Sequence, residues 1–355
     1  MASRLPYRSL FFAFLVATLS LLACVALFNF LVDSHGAFGR GRGLGKAVRH
    51  LINNTLVAGE FGRLEERELQ RLVIRDYPRR RDIIALGSSR SFLMRKRFIS
   101  GDKDFFNHSV TAAGIPDYVT IIGMYRECGQ LPRTVMLSVD PWMFNKNNGA
   151  GDWWQPLARY YDIIVGEIYG QSTKTKNSVN ISKYLQLINL EYTTTNYQHL
   201  RKGSKLVPVQ TTEINDFIRE PDGSLHLPYS MRFAKAEKTI TSPANVINLR
   251  FLHDFDYLSH TGLFEDLVRY LKNNGVDVIL VLLPINPSLY EHLDKSPKGR
   301  LVLSVENYLR DVAARYDIKL IGSYDPKPYG FTGKDFFDTI HGHEGVARKV
   351  MAEYR

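Results

Sequence analysis

Residues 81–94 read RDIIALGSSRSFLM. A short apolar run, Ile83 to Leu86, stops at Gly87 and passes into Ser88, Ser89, Arg90 and Ser91. Continuous rather than alternating apolar character is the pattern of a strand covered on both faces, as in a parallel sheet. Three more runs share it: TVMLSVD at 134–140, VDVILVLLP at 276–284 and IKLIG at 318–322. Amphipathic stretches lie between them. IPDYVTIIGMYRECG sets Tyr118, Ile122 and Tyr125 on one stripe, and GLFEDLVRYLKNNG sets Leu263, Leu267 and Leu271 on another before ending at Gly275. GRLVLSVENYLRDVAARYD carries Val305, Leu309 and Val312 at helical spacing. Strand and helix alternating in this way predict an α/β fold, a three-layer α/β/α sandwich with a mostly parallel sheet, over residues 80–355.

The alternation breaks at about 145–250, a stretch rich in Tyr, Asn and Thr whose one long periodic run is VNISKYLQLINLEY. An unstructured loop of that length is improbable inside a compact domain, so the segment reads as an insertion covering one end of the sheet. Its aromatic cluster, Trp153, Trp154, Tyr160 and Tyr161, suits either stacking on sugar rings or a small satellite core.

The N-terminal side has a different character. Ser9 to Val32 is a run of about two dozen residues without a charge, long enough at ~1.5 Å per residue to cross a bilayer. Residues 1–32 therefore read as a cytoplasmic tip and a transmembrane anchor, and residues 33–79 as a stalk and linking helix. Arg4 and Arg8 before the run and Asp33 after it favour a cytoplasmic N-terminus and an exported body, against which Arg40, Arg42 and Lys46 weigh. A cleaved signal peptide is one alternative, and LLAC at 21–24 offers a lipoprotein processing site as another. With only Cys24 and Cys128, the chain has no disulfide framework and no thiolate metal cluster. Lysines and arginines outnumber acids, 46 to 36, a net charge of +10 that suits an anionic surface such as phospholipid headgroups or a charged envelope polymer. No nucleic-acid module is recognisable, so nucleic acid is not an expected partner.

In open α/β sheets, ligands gather beyond the carboxyl ends of the strands, which draws attention to GSSRS. A serine at a tight turn into a helix exposes its oxygen and surrounds it with backbone N–H groups, although Ser and Gly also serve as plain helix caps. A serine nucleophile needs a base and the base an orienting group. FFDTIHGHEGVARKVM supplies both, with Asp338 three residues before His341 and a helix opening at about His343, itself a competing base. The same His341, His343 and Asp338 are the one candidate metal set. Neither metal nor cofactor is expected.

An early G-x-S after a strand paired with a late D-x-x-H before the final helix resembles the SGNH/GDSL hydrolase superfamily. The first block of that superfamily is matched by Gly87, Ser88 and Ser89, which implies Ser89 as nucleophile, and the last by Asp338 and His341. The second block is approached by FFNHSVTAAGIPDY, with Asn107 at its start and Ala112 or Gly114 where a backbone oxyanion donor is common. The third block normally offers an Asn after a strand, but LSVDPWMFN has Asp140 near that place and no Asn until Asn145. The likeness covers roughly 80–145 and 275–355. With the anchor, it is similar to teichoic-acid D-alanyl transfer proteins and related envelope acyltransfer proteins. That implies a serine O-acyltransferase or esterase working outside the cytoplasm on a cell-envelope polysaccharide or polymer, in some cases beside a membrane-bound O-acyltransferase. Arg90 is expected either to hold an anionic substrate group or to form a structural salt bridge. A non-enzymatic subunit that binds polysaccharide or scaffolds a membrane partner is the alternative, supported by Asp140 in place of the Asn.

Overall fold

The computed structural model describes residues 5–33, 38, 42–149, 151–170, 184–202, 206–233 and 249–354. Parts of the expected insertion, including the start of VNISKYLQLINLEY, lie outside them, as do Arg4 and Arg40 beside the anchor. The chain opens with helix α1 (Leu5–Val32), then α2 (Arg42–Ile52), strand β1 (Leu56–Ala58) and α3 (Arg63–Asp76). Next come β2 (Ile83–Leu86), β3 (Phe105–Asn107), α4 (Ile115–Glu127), β4 (Thr134–Ser138) and α5 (Ala158–Ile168). After α6 (Leu190–Lys202), three short strands follow: β5 (Val207–Val209), β6 (Ile218–Arg219) and β7 (Leu225–His226). The alternation resumes with α7 (Thr261–Asn273), β8 (Asp277–Leu282), α8 (Pro297–Tyr316), β9 (Lys319–Gly322) and α9 (Glu344–Met351).

Five strands form a parallel sheet in the order β3-β2-β4-β8-β9. Period-two alternation sends Ile84, Leu86, Val135, Leu137, Leu280 and Leu282 to a core shared with α4, α7 and α8. It sends Ile83, Ala85, Met136, Ile279 and Val281 to the other face, against Ala347, Val350 and Met351 of α9. Both faces are therefore apolar, which is why the strands read as unbroken hydrophobic runs. The four strands expected from sequence are all present. Strand β3 was not expected, because three residues carry no readable period.

Helix α1 contains one segment, Tyr7–Val32, long and apolar enough to cross a membrane. Residues 42–76 pack on the body. Leu44, Val48, Leu51, Leu69 and Val73 bury an apolar face with Val57, Phe61 and Phe106. Arg67 donates to both carboxylate oxygens of Asp117 at the start of α4, at 2.7 and 3.1 Å. β1 also pairs antiparallel with β5 and β6, so this segment and the insertion share a second, four-stranded sheet, β5-β1-β6-β7. In the aromatic cluster, Tyr160 belongs to the main core and Trp154 packs on Tyr161 at 4.6 Å, while Trp153, Trp154 and Tyr161 stay partly exposed.

Candidate functional site

The carboxyl end of β2 turns at Gly87, where a Cβ would stand 1.9 Å from Ser91 Oγ and 3.0 Å from Ser138 Cβ. Only glycine fits, and the tight passage feeds a 3₁₀ turn, Ser89–Ser91. Each hydroxyl there has its own task. Ser88 Oγ donates to Asp140 and accepts the Arg90 N–H, so it caps the turn. Ser91 Oγ donates to Ser88 O at 2.8 Å and meets Ser109 Oγ at 3.0 Å. Asn107, at the end of β3, donates from Nδ2 to Ser91 O and Met94 O, bracing the turn from below. Ser88, Arg90 and Ser91 are buried, and Ser89 alone of the four is partly exposed.

Ser89 Oγ lies 2.8 Å from His341 Nε2, across 252 residues of chain. His341 Nδ1 lies 2.7 Å from Asp338 Oδ2. The other oxygen of Asp338 accepts the N–H groups of Ile340 and His341, at 2.8 and 2.7 Å, which closes the loop into one turn and aims the carboxylate at the ring. Burial pushes the Asp338 carboxyl up, but hydrogen bonding and charge from His341 and the two backbone N–H groups outweigh it and hold the acid below its ordinary range. A carboxylate only accepts, so Nδ1 carries the ring proton and Nε2 is left to accept from Ser89. Phe337 stacks on the imidazole at 5.4 Å and 10°, which limits its rotation. His343 instead serves as the residue preceding α9, its N–H donating to Asp335 O. The structure thus brings Ser89, His341 and Asp338 together and leaves His343 out of contact with Ser89.

The surrounding donors differ from expectation. Ala112 borders the same pocket as Ser89 and holds a left-handed backbone, φ 53°, that non-glycine residues rarely adopt. Among the described residues, the N–H groups of Ser89 and Ala112 have no acceptor within the protein. Gly114 is a correction, because its N–H is consumed by Asp117 Oδ2 at 2.9 Å. Asp140 is a correction as well, and of the two expectations for Arg90 it is the structural salt bridge that is present. Arg90, fully buried, donates to Asp140 at 2.8 Å, to Ile340 O at 2.9 Å, and to Leu283 O and Pro284 O. Four of its five N–H donors are thus taken by the protein, one of them by the Asp140 carboxylate. Asp140, buried with it, is an acceptor for Arg90 and Ser88 and supplies no donor. Asn145 does not substitute, since its amide donates to Phe251 O and His253 O in the insertion.

A cleft of about 190 Å³ opens over Ser89 and Ala112. Its apolar wall is Trp142 against Phe251, rings 4.3 Å apart, and its rim carries Arg63 and Arg250. Arg63 lies over the Trp153 ring at 5.4 Å. Arg250 donates to Gly149 O at 3.1 Å, and a Cβ on Gly149 would sit 2.7 Å from its Nε. Among the described residues neither arginine has a carboxylate partner.

No family model and no curated protein matches the chain. The site is therefore read from its own geometry. Sequence reasoning missed Arg63, Arg250 and Phe251, which no motif joins and which the fold gathers from two distant segments. Trp142 stood in view directly after the third strand, in LSVDPWMFN, without an assigned role.

Proposed function

We propose that this chain is a membrane-anchored serine O-acyltransferase or esterase of the SGNH type, with its body outside the cytoplasm, acting on acyl groups of an anionic cell-envelope polymer. The observation that carries the reading is the unbroken relay from Ser89 through His341 to Asp338 at the carboxyl end of a parallel sheet. Helices against both faces of that sheet support the three-layer sandwich the superfamily would require. In this mechanism, Ser89 Oγ attacks the acyl carbonyl carbon while His341 Nε2 takes its proton. The tetrahedral oxyanion is met by the N–H groups of Ser89 and Ala112. Collapse expels the leaving alcohol, protonated by His341, and leaves an acyl-Ser89 ester. His341 then deprotonates a polymer hydroxyl or water, which attacks that ester and frees Ser89. Losing one oxyanion donor typically costs ~3 kcal/mol, so two backbone donors can sustain a slow enzyme without the missing Asn. Arg63 and Arg250 would meet a carboxylate or phosphate on the acceptor. The anchor would keep the body beside a membrane-bound O-acyltransferase that supplies the acyl group.

A fluorophosphonate probe and p-nitrophenyl acetate test this reading. The wild-type protein is expected to label and to release p-nitrophenol, while a folded Ser89→Ala variant should not label and should lose roughly 10³-fold or more in turnover. A folded wild type that neither labels nor turns over overturns it. Asp140, standing where the superfamily has an amide donor, favours one second reading, a non-catalytic subunit that binds polymer in the same cleft. Polymer binding without labelling would select it.

A further inference from the structure

We infer that residues 184–202 form an interfacial patch that lies on the outer leaflet beside the membrane helix and sets the height of the body above the bilayer. The inference rests on α1 crossing the membrane. Tyr7–Val32 spans 26 residues, about 39 Å of helix at ~1.5 Å per residue, whereas the hydrocarbon core is ~30 Å thick, so the last turns of α1 stand at headgroup level. Those turns are where the segment docks. Asn29 Nδ2 donates to Leu187 O at 2.8 Å and Thr193 Oγ1 at 2.7 Å, and Asn29 Oδ1 accepts from Asn196 Nδ2 at 2.9 Å. Tyr192 Oη donates to Asp33 Oδ1 at 2.8 Å. Asn29, Asp33, Tyr192 and Asn196 are all buried, so the polar end of the anchor is matched and sealed by this segment.

The other side of the segment is apolar and bare. Leu190 is 80% exposed, Leu200 65%, Tyr197 57%, Leu185 57%, Tyr184 53% and Ile188 49%. Buried Tyr192 and Asn196 face α1, while Leu190 and Tyr197, seven residues apart, share the opposite stripe of α6. A water-facing patch of this kind is costly, but at a bilayer interface it is the pattern of a helix lying in the plane, with tyrosines at headgroup depth and the aliphatic side chains just below. Lipid is the occupant the position selects. The patch is continuous with the lipid-exposed helix and is tied to it by five polar groups. A second copy of the chain would have to reach the same narrow zone through lipid.

The test uses the full chain with Cys24→Ser and Cys128→Ser, in vesicles of phosphatidylethanolamine and phosphatidylglycerol. Single cysteines carrying the NBD fluorophore replace Leu190, Leu200 and, at the far end of the sheet, the exposed Asn273; a further protein keeps Cys24 as the depth marker. Blue-shifted emission at 190 and 200, with about threefold stronger quenching by shallow spin-labelled lipid than at 273, is the expected result. Iodide quenching at 190 and 200 equal to that at 273, with Cys24 still quenched by lipid, overturns the patch and leaves the anchor standing. Protection from both quenchers means that protein covers the patch, and also overturns it. A Cys24 probe not quenched by lipid removes the anchor itself, and the inference with it.

Discussion

Of the serines at 88, 89 and 91, two are bound into the fold and one faces the histidine. The division follows from donor supply, since Ser88 answers Asp140 and Ser91 answers the carbonyl of Ser88. Arg90 and Asp140 are the residue pair on which the turn depends. Asp140→Ala leaves a buried guanidinium without its anion and is expected to cost about 3–5 kcal/mol in urea unfolding, most of it recovered in Arg90→Met with Asp140→Leu. Asp338→Asn is expected to keep the fold near neutral pH but lower turnover roughly 10³- to 10⁴-fold, because an amide no longer enforces the ring tautomer. Since the Asp338 carboxyl is held below its ordinary 3.8, the stability it contributes is present above that value and is lost as pH falls through the lower folded value. Wild type minus Asp338→Asn, in unfolding free energy, should shrink as pH falls below about 4.

At the scale of elements, the long periodic segments were legible and the short ones were not. Helices α4, α7 and α8 carry enough turns to show a period, and strands β2, β4, β8 and β9 stand out as unbroken apolar runs. Strands of two or three residues, such as β3, β6 and β7, acquire their structure from their partners. Helix α3 illustrates an element whose role was hidden for another reason. Its existence as a linking helix was readable, but the surface it covers was not. Glu65, in its first turn, accepts the Gly62 N–H at 2.8 Å. Burial pushes its carboxyl up to about 7, helped by Glu66 and opposed by the Gly62 hydrogen bond. A raised acid favours the folded state when protonated, so its contribution is full below about 4.5 and fades as pH rises through about 7. Glu65→Gln is therefore expected to gain in Tm relative to wild type across that window, and an unchanged difference from pH 4.5 to 8 would refute the argument.

At the scale of the whole molecule, the cleft is assembled from parts that have no sequence proximity. Arg63 comes from α3, Ser89 and Ala112 from the carboxyl end of the sheet, and Arg250 from the insertion. Helix α3 also carries Glu68, within electrostatic reach of Asp33 just after α1, so one helix links the end of α1 to the cleft. If the rim arginines select an anionic acceptor, Arg63→Ala with Arg250→Ala should raise KM for a polyanionic acceptor about tenfold and leave hydrolysis of a neutral acetyl ester unchanged. High salt should mimic the double variant. Equal losses on both substrates would show that the arginines hold the cleft together rather than select its ligand.

The sequence by itself determined the apolar N-terminal helix, the buried parallel strands and the separate motifs GSSRS and DTIHGH, because each is encoded in a local run or a short spacing. Only the tertiary structure decided which donors remain around Ser89. Gly114, Asp140 and Arg90 all stood at plausible positions in the chain, yet Gly114 spends its N–H on Asp117 at the start of α4, and Arg90 and Asp140, brought together by the fold, are held by one another. A hydrogen-bonding group can serve a ligand only if the fold has not already used it. That accounting is a property of contacts across the molecule, and no stretch of sequence contains it.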